Sequence, residues 1–60
     1  MTLYPQQIWM HGESKLGYFR AISRIEEGVV FFDSSTKMFQ STPIGQFKKW
    51  IISRKCFLHG

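Results

Sequence analysis

Leu16-Gly17-Tyr18-Phe19-Arg20-Ala21-Ile22-Ser23-Arg24-Ile25-Glu26-Glu27-Gly28-Val29-Val30-Phe31-Phe32 is the stretch from which the fold is read. Two runs rich in aromatic and β-branched residues meet at Glu26-Glu27-Gly28, a turn signal, so the segment reads as a β-hairpin. A period of two places Tyr18, Arg20, Ile22 and Arg24 on one face of the first strand and Phe19, Ala21, Ser23 and Ile25 on the other. The face of Phe19, Ala21 and Ile25 is the expected core face. Val29 to Phe32 is apolar on both sides, as a central strand in a closed or doubly covered sheet would be.

Outward from this hairpin, polar turn signals recur at His11 to Lys15 and at Asp33 to Lys37. They set off two further runs, Gln7 to His11 and Met38 to Thr42, and this spacing predicts an antiparallel meander. The period then changes. Ile44, Phe47 and Ile51 fall at i, i+3 and i+7 with Trp50 adjoining them, which predicts a short amphipathic helix. Thr42-Pro43 is its start signal, with Thr as cap and Pro at the first helical position. Gly45 in the first turn weakens that helix by about 1 kcal/mol relative to Ala. Lys55-Cys56-Phe57-Leu58 reads as a last short strand pairing back near the first, with a ragged continuation of the helix as the alternative. Residues 1–60 are therefore read as one mainly β domain: a small antiparallel curved sheet or SH3-like barrel of four to five strands with one short C-terminal helix.

Sixty residues leave room for one core, because a domain of this size buries only about 60% of the surface its unfolded chain exposes. An apolar fraction of 43% and an aromatic fraction of 17% are enough for collapse. The single cysteine, Cys56, excludes an internal disulfide, and with the well-separated His11 and His59 it makes no zinc cage, so no metal or other cofactor is expected. Met1-Thr2-Leu3-Tyr4-Pro5 has neither a basic nor an apolar leader pattern, and no apolar run approaches the roughly 20 residues of a membrane span. A cytoplasmic protein without membrane contact is the expectation.

Chemistry-bearing constellations are few. Cys56 and His59 lie three residues apart, but no third residue orients the pair, and Cys56 reads first as a small hydrophobe. Glu26-Glu27 is a carboxylate pair but belongs to a turn, and five scattered glycines match no phosphate loop. The expectation is a protein that binds rather than catalyses.

What it binds is suggested by charge. Eight Lys and Arg face four Asp and Glu, a net +4. From Lys37 onward there are five basic residues and no acidic one. A positive surface suits a phosphate backbone or an acidic protein surface. Aromatics interleaved with cations suit nucleic acid in particular, because bases stack while Lys and Arg neutralise phosphates. The expected contact residues are Tyr18, Arg20 and Arg24 on their shared strand face, Lys37 in a turn, Lys48 and Lys49 outside the apolar arc of the helix, and Arg54 and Lys55 after it. Trp9 and Trp50 read as core. The rival readings are a protein-binding inhibitor or adaptor using exposed aromatics as anchors, and a homo-oligomer subunit whose leftover apolar surface is covered by a second copy.

In order of elements the chain resembles the SH3-like small barrels. The path from Pro5-Gln6-Gln7-Ile8-Trp9 through Gly17-Tyr18-Phe19-Arg20 to Pro43-Ile44-Gly45-Gln46-Phe47-Lys48-Lys49-Trp50 also resembles short uncharacterised proteins of prophages and plasmids. That resemblance covers residues 5 to 50 and implies an accessory protein of a mobile element, one that on the charge reading binds nucleic acid or regulates a nucleic-acid-processing system. It transfers no active site.

Overall fold

A computed structural model describes residues 1–59. The chain runs β1 (Ile8–Met10), β2 (Phe19–Glu26), β3 (Val29–Ser34), β4 (Phe39–Pro43), α1 (Ile44–Ser53) and β5 (Phe57–His59). All five strands join one antiparallel sheet in the order β4-β3-β2-β1-β5. The sheet is curved but unclosed, with β4 and β5 at its edges, so the fold is an open sheet carrying one helix and not a barrel. The central strand is β2, and β3 lies second from the edge.

The β2–β3 hairpin forms where the sequence places it. Glu27 and Gly28 both take positive φ, 49° and 76°, the two-residue turn whose twist matches that of antiparallel strands. The side chains of β2 do not keep one alternation, however. Ile22 pairs with Phe32 and Arg24 with Phe31, so Ser23 is an extra residue and the register shifts between Ile22 and Arg24. Before this bulge Arg20 and Ile22 face the helix; beyond it Ile25 does, opposite the fully buried Val30. The expected core face of Phe19, Ala21 and Ile25 is thereby corrected. Phe19 and Ala21 lie on the opposite, uncovered face, and Ile25 reaches the core only because the bulge returns it there. The same shift separates Arg24 from Tyr18 and Arg20.

The core lies between sheet and helix: Leu3, Ile22, Val30, Phe32, Phe47 and Ile51 are buried, with Trp9, Ile25, Ile44, Trp50 and Cys56 packed against them. Phe32 and Phe47 meet edge to face, ring centres 5.5 Å apart. Only one face of β3 is covered in this way. Val30 and Phe32 are buried, but Val29 and Phe31 are half-exposed on the other side, so the doubly covered strand expected from the sequence is covered once.

The helix begins one residue later than expected. Pro43 still pairs with Val29 and occupies the cap position with extended backbone (φ −56°, ψ 144°), and no side chain caps the helix. Thr42 cannot turn back to cap because it remains in the β4 ladder opposite Val30. The Ile44 N–H instead donates to the Gly28 carbonyl at 2.8 Å, tying the helix start to the hairpin turn. At the other end Lys55 takes a left-handed conformation (φ 53°). The Lys55 and Cys56 N–H groups donate to the Ile52 and Ile51 carbonyls, which is a Schellman stop. It redirects the chain into β5, which pairs antiparallel with β1, so of the two readings of Lys55 to Leu58 the strand is the one formed, two residues later than expected.

Candidate nucleic-acid interface

The helix-facing side of β2 begins at its N-terminal end with Arg20, flanked by Trp9 on β1 and Ser34 on β3. Its guanidinium is enclosed by rings: Cζ lies 4.2 Å from the centre of Trp50, 4.7 Å from Phe32, 5.7 Å from Phe47 and 5.9 Å from Tyr18. Nε donates to the Tyr18 hydroxyl at 3.3 Å. Among the described residues no carboxylate lies within ion-pair distance of Arg20, and none supplies an acceptor for its terminal guanidinium N–H groups. The ring faces offset part of the cost of half-burying this charge, at about 0.5 to 2 kcal/mol for such a contact, but they accept no guanidinium hydrogen bond in the plane of the fork. The arginine is left with its directional donors free.

Tyr18, Trp50 and His11 close around it, with ring centres 6.1 to 6.4 Å apart and edge-to-face tilts. The local sequence holds them. Ser14 Oγ accepts the N–H groups of Leu16 and Tyr18, each at 3.2 Å, so the β1–β2 loop fixes the Tyr18 backbone. Nδ1 of His11 accepts the Glu13 N–H at 3.1 Å, which leaves Nε2 as the protonated nitrogen of the neutral ring. Gly12 N–H donates to the Arg54 carbonyl at 3.2 Å, and a Cβ at Gly12 would collide with the Lys55 carbonyl oxygen. Only glycine lets the loop approach the helix end so closely. Cys56 packs behind the cluster; burial pushes its thiol above the ordinary value of 9.0, against smaller opposing effects of the Gly12 N–H, Arg20 and Arg54. It is a poor nucleophile and a filler of the apolar layer.

Two open recesses flank these rings. One, about 520 Å³, runs along the helix and is lined by Gln46, Lys49, Trp50, Ile52, Ser53 and Arg54. The other, about 500 Å³, lies over the loops and is lined by His11, Ser14, Leu16, Tyr18, Ser35 and Thr36. Trp50 borders the first and Tyr18 the second, with Arg20 stacked on both. No carboxylate lines either recess. Glu13, next in the chain to Ser14 of the second recess, is paired with Lys55 at 3.5 Å.

Of the residues singled out from sequence, Tyr18, Arg20, Lys49 and Arg54 gather here. Lys55 stands beside the cluster with its charge matched by Glu13. Arg24 does not belong to it: beyond the bulge it lies on the uncovered sheet face, stacked 4.2 Å over Phe31 and paired with Glu26 at 3.5 Å. Lys37 sits at the β3–β4 turn with φ 64°, and Lys48 is half-buried on the helix flank, neither of them lining a recess. Sequence reading missed His11 and assigned Trp50 to the core alone. Trp50 does pack on Phe47, ring centres 5.4 Å apart, and also borders the recess along the helix. His11 carried no signal, because Trp50, which completes its surroundings, comes from a helix distant in sequence.

Among the described residues no group of three or more His, Cys, Asp or Glu is placed to hold a metal ion. No helix is long and apolar enough to cross a membrane. No protein-family model, curated protein or solved structure matches the chain.

Proposed function

We propose that the protein is a non-catalytic binding module that holds a single strand of nucleic acid in a groove made of the two recesses beside Tyr18 and Trp50, as an accessory protein of a phage or plasmid. The observation that carries this reading is Arg20: a half-buried guanidinium stacked between the rings that border the groove, with no carboxylate partner. A phosphate supplies the bidentate acceptor that the described residues do not. Lys49 and Arg54 add cations along the helix recess, and the aromatic edges offer apolar contact to unstacked bases, which a duplex does not present. The mobile-element assignment rests on the resemblance of the Pro5 to Trp50 path. The alternative, a protein-binding adaptor, is favoured by the uncovered sheet face, where Phe39 and Phe57 are 56% and 55% exposed.

The test is titration of labelled single-stranded and duplex oligonucleotides over a range of salt. Log affinity for the single strand should fall linearly with log salt, by about 0.7 per phosphate neutralised. Lys49→Glu with Arg54→Glu, both at exposed positions, should weaken binding to unrelated sequences alike and flatten that slope. Absence of binding at low salt sinks the reading and moves the adaptor to first place.

A further inference from the structure

The sheet has a second face that the helix does not cover. The strand register assembles on it Ile8 and Met10 from β1, Phe19 from β2, Phe31 from β3, Phe39 from β4 and Phe57 from β5, with Phe31 and Phe39 stacked at 6.3 Å. Apolar side chains thus extend from one edge strand to the other. We propose that this face is the interface of a homodimer, covered by the same face of a second copy.

Three observations select a second copy over other occupants. The first is charge. The face carries one cation, Arg24, already paired with Glu26, and one further carboxylate, Asp33. A phosphate backbone would meet more negative than positive charge there. The other cations of the chain, whose net charge is +4, lie on the helix, after it, in the loops and, at Arg20, on the helix-facing side of β2, so two copies can approach by this face without bringing their positive surfaces together. The second is self-complementarity, which an isologous interface requires. Arg24 on β2 and Asp33 on β3 lie diagonally across neighbouring strands, flanking the Phe31 position. A twofold axis in the plane of the interface that bisects the line between them sets Arg24 of each copy against Asp33 of the other. The stacked Phe31 and Phe39 lie beside these pairs, so the rings fill the centre of the contact. The third is size. Two residues each from β1 and β5, four from β2 and three each from β3 and β4 lie on this face. At about 4.8 Å between strands and about 6.6 Å between same-face residues they cover about 450 Å², below the roughly 600 Å² per partner of specific stable interfaces and in the range of weak, transient ones. Such an interface dissociates at accessible concentrations, so the dimer is measurable against its monomer.

Sedimentation equilibrium over a wide concentration range reads the outcome directly. The unmodified chain should pass from 7.1 kDa to twice that mass with rising concentration. Phe39→Glu, at a site more than half exposed in one copy, should keep the circular dichroism of the folded protein and remain monomeric. Arg24→Asp alone should weaken association, and adding Asp33→Arg should restore it, because the exchanged charges still meet across the twofold. Rescue of that kind does not arise from an unrelated partner or from loss of folding. An unmodified chain that stays at monomer mass throughout overturns the proposal, as does a double variant no better than Arg24→Asp. Because the groove lies on the opposite layer, oligonucleotide binding by Phe39→Glu separates failure of the dimer from failure of the nucleic-acid reading.

Discussion

Two adjacent phenylalanines show how finely the environment divides along a strand. Phe32 is 2% exposed and touches Phe47, whereas Phe31 points to the uncovered face and stacks only on Phe39 and Arg24. Phe32→Ala should cost about 3 to 5 kcal/mol, since it removes a core ring and leaves a cavity. Phe31→Ala, measured at concentrations low enough for monomer, should cost about 1 to 1.5 kcal/mol, half of what full burial of such a side chain contributes. Denaturant titration of the two variants checks the sidedness, and equal costs would contradict it. That these neighbours point opposite ways was legible in the sequence, because a period of two demands it. Which of them faces the helix was not. Val29 to Phe32 is uniformly apolar, so its pattern holds no information about side, and the decision falls to β2, where the bulge at Ser23 inverts the alternation. A bulge leaves no mark in composition: Ser23 is a small polar residue on a strand that otherwise alternates. Arg20 and Arg24, two strand steps apart in one chemical environment by simple counting, end on opposite layers for that reason.

At the level of elements, most boundaries follow from residue chemistry. The hairpin turn, the four leading strands and the apolar arc of the helix fall within a few residues of where turn signals and periodicity put them. The helix ends are where expectation and structure part, and each has a local cause. The start moves because pairing of Thr42 and Pro43 with β3 outweighs a side-chain cap. The stop is sharper than expected because Lys55 accepts a left-handed backbone so that the orphan carbonyls of Ile51 and Ile52 are satisfied. These two ends place glycine where it is least useful and omit it where it is most useful. A Cβ on Gly45 would enter open space within the first helical turn, so Gly45→Ala should raise stability by about 1 kcal/mol. Lys55→Gly should raise it by a similar amount, about 1 kcal/mol, by relieving the left-handed residue at the Schellman stop. Each change should raise the thermal midpoint by about 4 to 8 °C, the shift that 1 kcal/mol gives in a domain of this size, and thermal scans at one fixed concentration check both.

For the molecule as a whole, the two proposed surfaces lie on opposite layers. The helix side gathers cations and rings into a groove, and the far side of the sheet presents apolar rows that a second copy can cover. A dimer built on those rows would turn its two grooves outward in opposite directions. The groove depends on contacts between residues distant in sequence, Arg20 with Trp50 and Gly12 with Arg54, which is why composition pointed to its chemistry but not to its place. The strand order also has a consequence in time. The pairs β2–β3 and β3–β4 join strands adjacent in the chain, while the β1–β5 ladder joins Ile8 to His59 across nearly its whole length. Closing a long loop costs more entropy than closing a short one, so the three-strand meander with its two-residue turn is the natural folding nucleus and β5 docks after the barrier. Stopped-flow kinetics should then show Gly28→Ala slowing refolding, because it strains the turn residue at φ 76° on which the nucleus depends. Leu58→Ala should leave the refolding rate nearly unchanged and accelerate unfolding, so that β5 governs how long the folded state persists and has little influence on how fast it is reached.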